Sequence, residues 1–257
     1  MWFRGISIAG LLLAVGCGGA TKQPPLPRPS PDPLLKKLKA QNTAVKSYVA
    51  ESTMDFWTGD ERIRATVLVM GKVGSKIRFN ALNPDGGSTA VDLACDGEAF
   101  RFVDYNKNCF LEGPCNKRSV AQLLRIELHP DEFRHLVFGG APLLPTSNAQ
   151  VVWDEKLGKE TLVLRNSNLV QTLVLELNGD SVDILQSTTK ELDQTTWELT
   201  HKEFENQQGF RAPKKGRIIQ PNVDSDLIVS WSERKLNPTL PDSSFELEIP
   251  AGLPLCQ

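Results

Sequence analysis

The chain has 257 residues, a formal net charge of −2 at pH 7, and a composition that is 40% hydrophobic and 23% charged. This near balance of charge argues against the basic footprint of a nucleic-acid-binding protein and against an acidic disordered tail. Beyond residue 16, no stretch is long and apolar enough to predict a membrane-spanning helix.

The amino-terminal residues predict an export signal that ends at Cys17. Arg4 supplies a positive charge, and Ile6–Val15 is an apolar run that is too short to span a bilayer. The run ends in Leu-Ala-Val-Gly-Cys at residues 13–17, which resembles the lipobox of bacterial lipoproteins. The resemblance implies cleavage before Cys17 and acylation of that cysteine. The alternative is an ordinary secretory signal with a chance cysteine.

The residues after Cys17 are rich in proline and glycine and show no apolar periodicity, which is typical of a flexible tether. In lipoproteins of this kind an Asp after the cysteine signals retention at the inner membrane, and this chain has Gly18 there. We therefore expect a lipid anchor on the outer membrane, facing the periplasm. The predicted units are the signal (1–16), the lipidated cysteine with its tether (17–33) and one domain (34–257).

The domain is predicted to open with a helix over Pro33–Ser47, because apolar residues recur there at helical spacing. The period then changes to two, which indicates half-buried strands separated by Gly, Asn and Asp turns. The strands predicted in this half are Arg62–Val69, Lys76–Leu82, Thr89–Cys95, Ala99–Tyr105 and Asn108–Leu111.

Two short helices, Ser119–Ile126 and Pro130–Phe138, interrupt the strands before alternation returns. The later strands are predicted at Gln150–Trp153, Glu160–Leu164, Leu169–Leu177, Val182–Ser187, Thr196–Phe204, Leu227–Lys235 and Phe245–Ile249. Many strands with helices only at the start and in the middle predict an α+β domain built on a mostly antiparallel sheet. The basic cluster at residues 214–217 is interpreted as a solvated turn.

Four cysteines remain once Cys17 is set aside, and an even number in an exported chain suggests disulfides. Three pairings are possible. If the first strands form a meander, Cys95 and Cys115 lie at the same end of it and Cys109 lies at the other. This arrangement weakly favours a Cys95–Cys115 disulfide. Cys109 and Cys256 then either pair with each other or are both free.

The residue pattern gives no sign of an enzyme, and we expect neither a cofactor nor a metal. His129, His135 and His201 have no metal-ligand spacing, and the first two are interpreted as surface residues flanking a short helix. There is no nucleophile elbow and no phosphate-binding glycine loop. The segment Asp104–Asn108 starts like a calcium loop but lacks the glycine, so it is interpreted as a hairpin turn.

Three segments, in this order, resemble the lipoprotein-localisation family of LolA and LolB. Asn-Pro-Asp-Gly-Gly-Ser-Thr at 83–89 resembles the protruding turn of LolB, and residues 129–142 resemble its middle helix and Gly-x-Pro exit. Residues 236–241 and 245–252 resemble the closing strand of LolA-type proteins. The likeness spans Leu34–Gly252. It implies a mostly antiparallel half-open (unclosed) β-barrel of roughly eleven strands, with an N-terminal helix and a short helical lid over a hydrophobic cavity.

The strands carry more apolar faces than two short helices can cover, so we expect a cavity that binds the acyl chains of lipids or lipoproteins. An acyl chain gains about 0.8 kcal/mol per buried CH2. The competing interpretation is a core filled by side chains, and the strand tryptophans, including Trp231, fit either. The residues expected in the cavity or lid are Val67, Val69, Phe79, Leu123, Leu124, Phe133, Leu136, Val137 and Phe138.

The turn at Pro84, Asp85 and Gly86 is expected to face the membrane, by its resemblance to LolB. LolB proteins usually place an exposed Leu at this tip, whereas an ionised Asp at bilayer depth costs roughly 2.5 to 3.5 kcal/mol. Either the protein holds lipid without inserting it, or Asp85 simply favours the turn. The partners expected are acyl chains, the membrane through the anchor, and a periplasmic carrier protein. The alternative function is a structural or sensing lipoprotein that binds a protein partner.

Overall fold

A computed structural model describes residues 23–24, 27–58 and 61–256. The predicted signal, residues 1–16, and the lipidation site Cys17 lie outside these residues. The side chain of Leu123 is also outside the described part, although its backbone belongs to a helix.

The described residues form three helices and thirteen strands. The helices are α1 (Pro31–Ala44), α2 (Lys117–Leu124) and α3 (Pro130–Phe138), with 3-10 turns at Pro221–Val223 and Asp242–Phe245. The strands of the first half are β1 (Ser47–Thr58), β2 (Glu61–Lys72), β3 (Lys76–Leu82), β4 (Thr89–Asp96), β5 (Ala99–Asp104) and β6 (Cys109–Pro114). The second half adds β7 (Asn148–Asp154), β8 (Lys159–Arg165), β9 (Leu169–Asn178), β10 (Ser181–Glu191), β11 (Gln194–Gln207), β12 (Phe210–Gln220) and β13 (Ser225–Leu236).

All of these strands belong to one antiparallel sheet in the order β6-β5-β4-β3-β2-β1-β13-β12-β11-β10-β9-β8-β7. Each half is a meander, and β1 joins the halves by pairing with β13. The edge strands β6 and β7 do not pair with each other in the described part of the chain, and α2 and α3 connect them in sequence. The mostly antiparallel, unclosed sheet is as predicted, but it has thirteen strands rather than roughly eleven.

The predicted first helix is too long, and β1 was missed. Helix α1 ends at Ala44 because Val45 has extended backbone, and Ser47–Thr58 is a twelve-residue strand. Val45 and Tyr48 fall at helical spacing yet are both buried in the core. Both residues lie where α1 gives way to β1 and point into the core. Their helical spacing therefore did not indicate a helix.

Strand β12 was also missed, and the basic cluster at 214–217 is not a turn. It lies inside β12, where its cations pair with acids of the neighbouring strands: Lys214 with Glu205 (3.2 Å), Lys215 with Glu203 (2.7 Å) and Arg217 with Asp226 (2.5 Å). Cross-strand ion pairs replace apolar alternation on this strand. Its sequence therefore carries no period-two signal.

The predicted strand Phe245–Ile249 does not form. Phe245 ends a 3-10 turn, and residues 246–249 carry no strand assignment. Leu247 packs instead with Ala94 and Val103 in a small second cluster, separate from the main core. The tail continues to Leu255, which bridges Phe110 of the edge strand β6. The carboxyl-terminal segment thus covers part of the sheet and one of its edges.

Two disulfides are present, and they have the pairing that the meander favoured. Cys95–Cys115 joins β4 to the segment after β6, with the Cα atoms 5.6 Å apart. Cys109–Cys256 fastens the tail to the edge strand, with a Cα separation of 4.9 Å. The turn Asp104–Asn108 between β5 and β6 is a hairpin turn, as predicted.

Candidate functional site: the sheet face beneath α3

Helix α3 lies on the core face of the sheet, the face that carries Val67, Val69 and Phe79. It contacts β1, β2, β3 and β12. Phe133 is fully buried and meets the ring of Phe79 edge-on, with the centroids 4.9 Å apart, and that of Trp231 at 6.4 Å. Helix α3 therefore sits where the sequence placed a lid over an apolar surface.

The structure brings the described cavity and lid residues together in one continuous cluster. Val67, Val69, Phe79, Leu124, Phe133, Leu136, Val137 and Phe138 are all buried in it. In this structure their own side chains occupy the space between sheet and helices, so the lid residues themselves cover the apolar face.

Local sequence explains why α3 forms at this point. The His129 side chain accepts a hydrogen bond from Asp131 N, and Glu132 Oε2 accepts one from His129 N at 3.2 Å, which makes a capping box. Pro130 stands at the first helical position, where its missing N–H is not needed. Gly139 ends the helix in the left-handed region at φ 81°. The boundaries of α3 are therefore set by its own residues, independently of the sheet.

Polar contacts fasten α3 at both ends. Asp131 accepts hydrogen bonds from Gly74 N and from Ser75 Oγ in the β2–β3 turn, both at 3.0 Å. At the other end the buried guanidinium of Arg234, on β13, donates to Val137 O at 3.0 Å and to Glu205 Oε1 at 3.1 Å. These few contacts hold the helix in place over the sheet.

Between its two ends, α3 is surrounded by buried polar atoms that have no hydrogen-bond partner among the described residues. Five such atoms lie on α3 or on residues that interact with it: Tyr48 Oη, Arg134 Nε, His135 Nδ1, His201 Nε2 and Trp231 Nε1. An unsatisfied buried polar group costs about 1 to 3 kcal/mol. These unpartnered atoms therefore subtract from the stability that the apolar contacts of α3 provide.

Two histidines near α3 are buried and neutral at pH 7. Burial lowers the pKa of His135 to about 3, with a further contribution from the adjacent Arg134. Burial also lowers the pKa of His201 to about 4, partly offset by its ring nitrogen's hydrogen bond with Ile184 O. The interpretation of His135 as a surface residue is wrong, since its exposed fraction is 7%. The signal was present, because Phe133, Leu136, Val137 and Phe138 leave α3 almost no solvent face.

A cavity of about 270 Å³ lies at the carboxyl end of α3, between that helix, α1 and strands β10 to β12. We call it the α1–α3 cavity. Its wall includes Leu38, Phe138, Gly140, Val182, Ile184 and Phe204. Sequence reasoning missed this space, because its walls come from segments far apart in the chain.

The turn predicted to face a membrane is exposed at Pro84, Asp85 and Gly86. Asp85 Oδ1 accepts a hydrogen bond from Gly87 N at 3.0 Å, and Gly86 has a φ of 70°. The carboxylate thus stabilises its own turn, as the simpler interpretation of Asp85 proposed.

Among the described residues, no group of three or more His, Cys, Asp or Glu side chains is placed to hold a metal ion. Within the same residues, no helix has the length and apolar character that crossing a membrane requires.

No family model matches this sequence, and no curated protein matches it. Solved structures do. A LolA superfamily protein from Nitrosomonas europaea has a TM-score of 0.55 at 11% identity, covering 86% of this chain and 99% of its own. A DUF1329 family protein from Desulfovibrio piger has a TM-score of 0.54 at 13% identity, with 84% and 98% covered.

A third structure, described as an outer membrane lipoprotein-sorting protein domain from Vibrio parahaemolyticus, has a TM-score of 0.52 at 11% identity, with 83% and 94% covered. Likeness at such low identity shows the fold alone. The chain therefore has the fold shared by LolA-superfamily and DUF1329 proteins, in agreement with the LolA/LolB-like resemblance of its sequence.

Proposed function

We propose that this protein is an exported lipoprotein, anchored on the outer membrane through Cys17, that binds acyl chains of lipids or lipoproteins on the sheet face that α3 now covers. The observation that carries the proposal is the set of five unpartnered polar atoms around α3. Moving α3 away would let water satisfy these atoms, while an acyl chain would take over the burial of the apolar sheet face.

The energies make this exchange feasible. About ten buried methylenes gain roughly 8 kcal/mol before entropy losses. Hydrating each unpartnered polar atom recovers about 1 to 3 kcal/mol. Against these terms stand the lost packing of Phe133, Leu136, Val137 and Phe138 and the polar contacts at the ends of α3. The gains from loading and hydration thus act against the cost of opening.

LolB-like reception of lipoproteins from a periplasmic carrier is the specific role that we propose. The lipoprotein-sorting description of one structural neighbour supports it at the level of the fold. The exposed Asp85 limits the role, because its carboxylate opposes deep insertion of this turn into hydrocarbon. We therefore propose that the protein receives and holds its cargo, without using this turn as a wedge. Replacing Asp85 with Leu should improve lipid release into liposomes; an unchanged rate would show that the turn tip plays no part.

Tryptophan quenching by monoolein brominated at its double bond tests the acyl site. Bromine quenches indole fluorescence at short range, and Trp231 lies buried beside Phe133. We expect saturable quenching in the wild type and loss of the quenched component in Trp231→Phe. A matched control is Trp57→Phe, since Trp57 lies near the carboxyl end of β1 with Arg62 over its ring. Absence of quenching, or quenching indifferent to Trp231→Phe, would contradict the proposal.

The membrane anchor has a separate test. Cys17→Ser should release the protein from the membrane fraction into the soluble periplasmic fraction and remove the mass of the acyl chains. Wild-type protein that is already soluble would refute the anchor and leave the acyl site untouched.

A second candidate is a structural or sensing lipoprotein that binds a protein partner through the same fold. The filled core favours it, because Phe79, Phe133 and Val137 are fully buried by other parts of the chain. Native mass spectrometry of protein purified from membranes distinguishes the two. Co-purified lipid supports the carrier, and a ligand-free mass supports the alternative.

A further inference from the structure

We infer that the α1–α3 cavity is the entry site of the protein, where one ester- or amide-linked acyl chain binds before it passes beneath α3. The inference rests on the acyl binding proposed above and adds the route. Because side chains fill the core under α3, an incoming chain first needs an apolar surface that it can reach while α3 is closed.

The cavity provides such a surface, and it is continuous with the core. Leu38, Phe138 and Ile184 line the cavity and also belong to the main hydrophobic cluster. Phe138 is the last residue of α3. A chain bound in the cavity therefore touches the core cluster and the carboxyl end of α3 at once.

The size of the cavity selects a single chain. Its volume of about 270 Å³ lies just below the range of roughly 300 to 1,000 Å³ that is usual for drug-sized ligands. A space of this size holds a segment of one acyl chain, whereas a complete diacyl lipid does not fit.

The polar residues that line the cavity select an uncharged linkage. Arg211 donates to both carboxylate oxygens of Asp183, through Nε at 3.1 and 3.0 Å and through Nη2 at 2.8 Å. Ser181 and Gln41 add neutral polar groups. Because the guanidinium is already neutralised, the cavity favours an ester or amide over a free carboxylate.

At the inner wall of the cavity, the chain that follows α3 packs too closely against its neighbours to carry side chains. Gly139 has φ 81°, and a Cβ there would lie 2.6 Å from Pro213 Cδ. A Cβ on Gly140 would lie 2.5 Å from Asn42 Oδ1 and 2.8 Å from Phe138 Cε2. Two consecutive residues without side chains therefore follow α3, and glycine is the residue with the widest choice of backbone conformations. A chain pressing on Phe138 acts directly beside these two glycines, where a small shift of the backbone would move the end of α3.

A pair of variants on α1 tests the route. Ala44 is exposed and lines the cavity, whereas its exposed neighbour Thr43 does not. In stopped-flow measurements with brominated monoolein, Ala44→Phe should slow the quenching of Trp231 by about tenfold, because it obstructs the entrance. The final extent of quenching should stay at the wild-type value. Thr43→Phe should behave as wild type in both respects.

Equal rates in Ala44→Phe and Thr43→Phe would overturn the entry site while leaving the acyl site under α3 intact. If the wild type shows no quenching at all, the proposed function fails. Photolabelling then tests separately whether the cavity binds an acyl chain. A monoacylglycerol with a diazirine in its chain should label Leu38 or Val182. Absence of label at both residues would overturn the inference.

Discussion

Glu160 is a buried carboxylate on β8 that makes no hydrogen bond through either oxygen to the described residues. Its exposed fraction is 3%, and burial raises its pKa. A group whose pKa is higher in the folded state stabilises the fold at low pH, and that stability is lost as the pH rises through the folded pKa. At neutral pH the charge of Glu160 therefore opposes folding.

Glu160→Gln should stabilise the protein at pH 7 by about 1 to 3 kcal/mol, because it removes a buried charge that accepts no hydrogen bond and that Arg28 offsets only in part. The gain should shrink as the pH falls toward 4.5. Urea denaturation at several pH values measures it, and Glu112→Gln, at an exposed position on β6, should change little. A loss of stability in Glu160→Gln at pH 7 would mean that the carboxylate is paired in solution.

His135 and His201 should have the opposite effect to Glu160, because they make the folded protein less stable as the pH falls. Their pKa values are lowered to about 3 and about 4 in the folded protein, so the unfolded chain binds their protons first as the pH drops below 6.5. Between pH 6.5 and 5, each should remove about 2 kcal/mol of stability. Denaturation curves should show the loss halved in His201→Gln. An equal loss in this variant and in the wild type would place the titration elsewhere.

At the scale of the element, α3 is a helix whose ends are fixed by local chemistry and whose position depends on a few long-range contacts. Arg234 is the main attachment at its carboxyl end, because its guanidinium reaches Val137 O from β13. Glu205 would keep Lys214 as a partner if Arg234 were removed.

Arg234→Met should loosen α3 while the sheet stays intact, so amide exchange in Pro130–Phe138 should accelerate by about 10- to 100-fold, the effect of losing some 1.4 to 2.8 kcal/mol. Hydrogen exchange followed by mass spectrometry measures this. Lys214→Met removes the other cation of Glu205 at an exposed position of β12, so it is the matched control. Faster exchange across all strands as well would indicate global destabilisation instead.

At the scale of the whole molecule, the tail and its disulfide close the sheet's β6 edge. Phe110 exchanges backbone hydrogen bonds with Pro254 and Cys256, next to the Cys109–Cys256 bond. An uncovered strand edge can pair with another chain. The two disulfides therefore differ in purpose: one ties neighbouring parts of the meander, and the other holds the tail on an edge.

Removing both cysteines of Cys109–Cys256, which are 147 residues apart, should lower stability by up to about 5 kcal/mol in the loop-entropy model. Removing Cys95–Cys115, with a separation of 20, should cost about 3 kcal/mol. The Cys109/Cys256 variant should also self-associate in size-exclusion chromatography. A variant that remains monomeric would show that the edge is protected without the tail.

The sequence alone was sufficient for features that depend on neighbouring residues. Period-two alternation located most of the strands, and the residues at 129–132 and 139 set the limits of α3. The meander order favoured the correct cysteine pairing. The sequence pattern did not predict β1 or β12. At β1 the helix–strand junction imitates helical spacing, and at β12 cross-strand ion pairs take the place of apolar alternation.

Only the tertiary structure decided what covers the apolar sheet face. The sequence is equally compatible with a cavity wall or a filled core at Val67, Phe79 and Phe133. The hydrophobicity of a side chain does not determine which group will bury it. Which group buries these side chains depends on how α3 packs on the sheet. This helix lies in the segment between the two edge strands, and it packs on strands that are distant from it in sequence. The burial of His135 and the α1–α3 cavity follow from the same fit. The local sequence pattern determines which surfaces are buried, and three-dimensional packing determines which groups bury them.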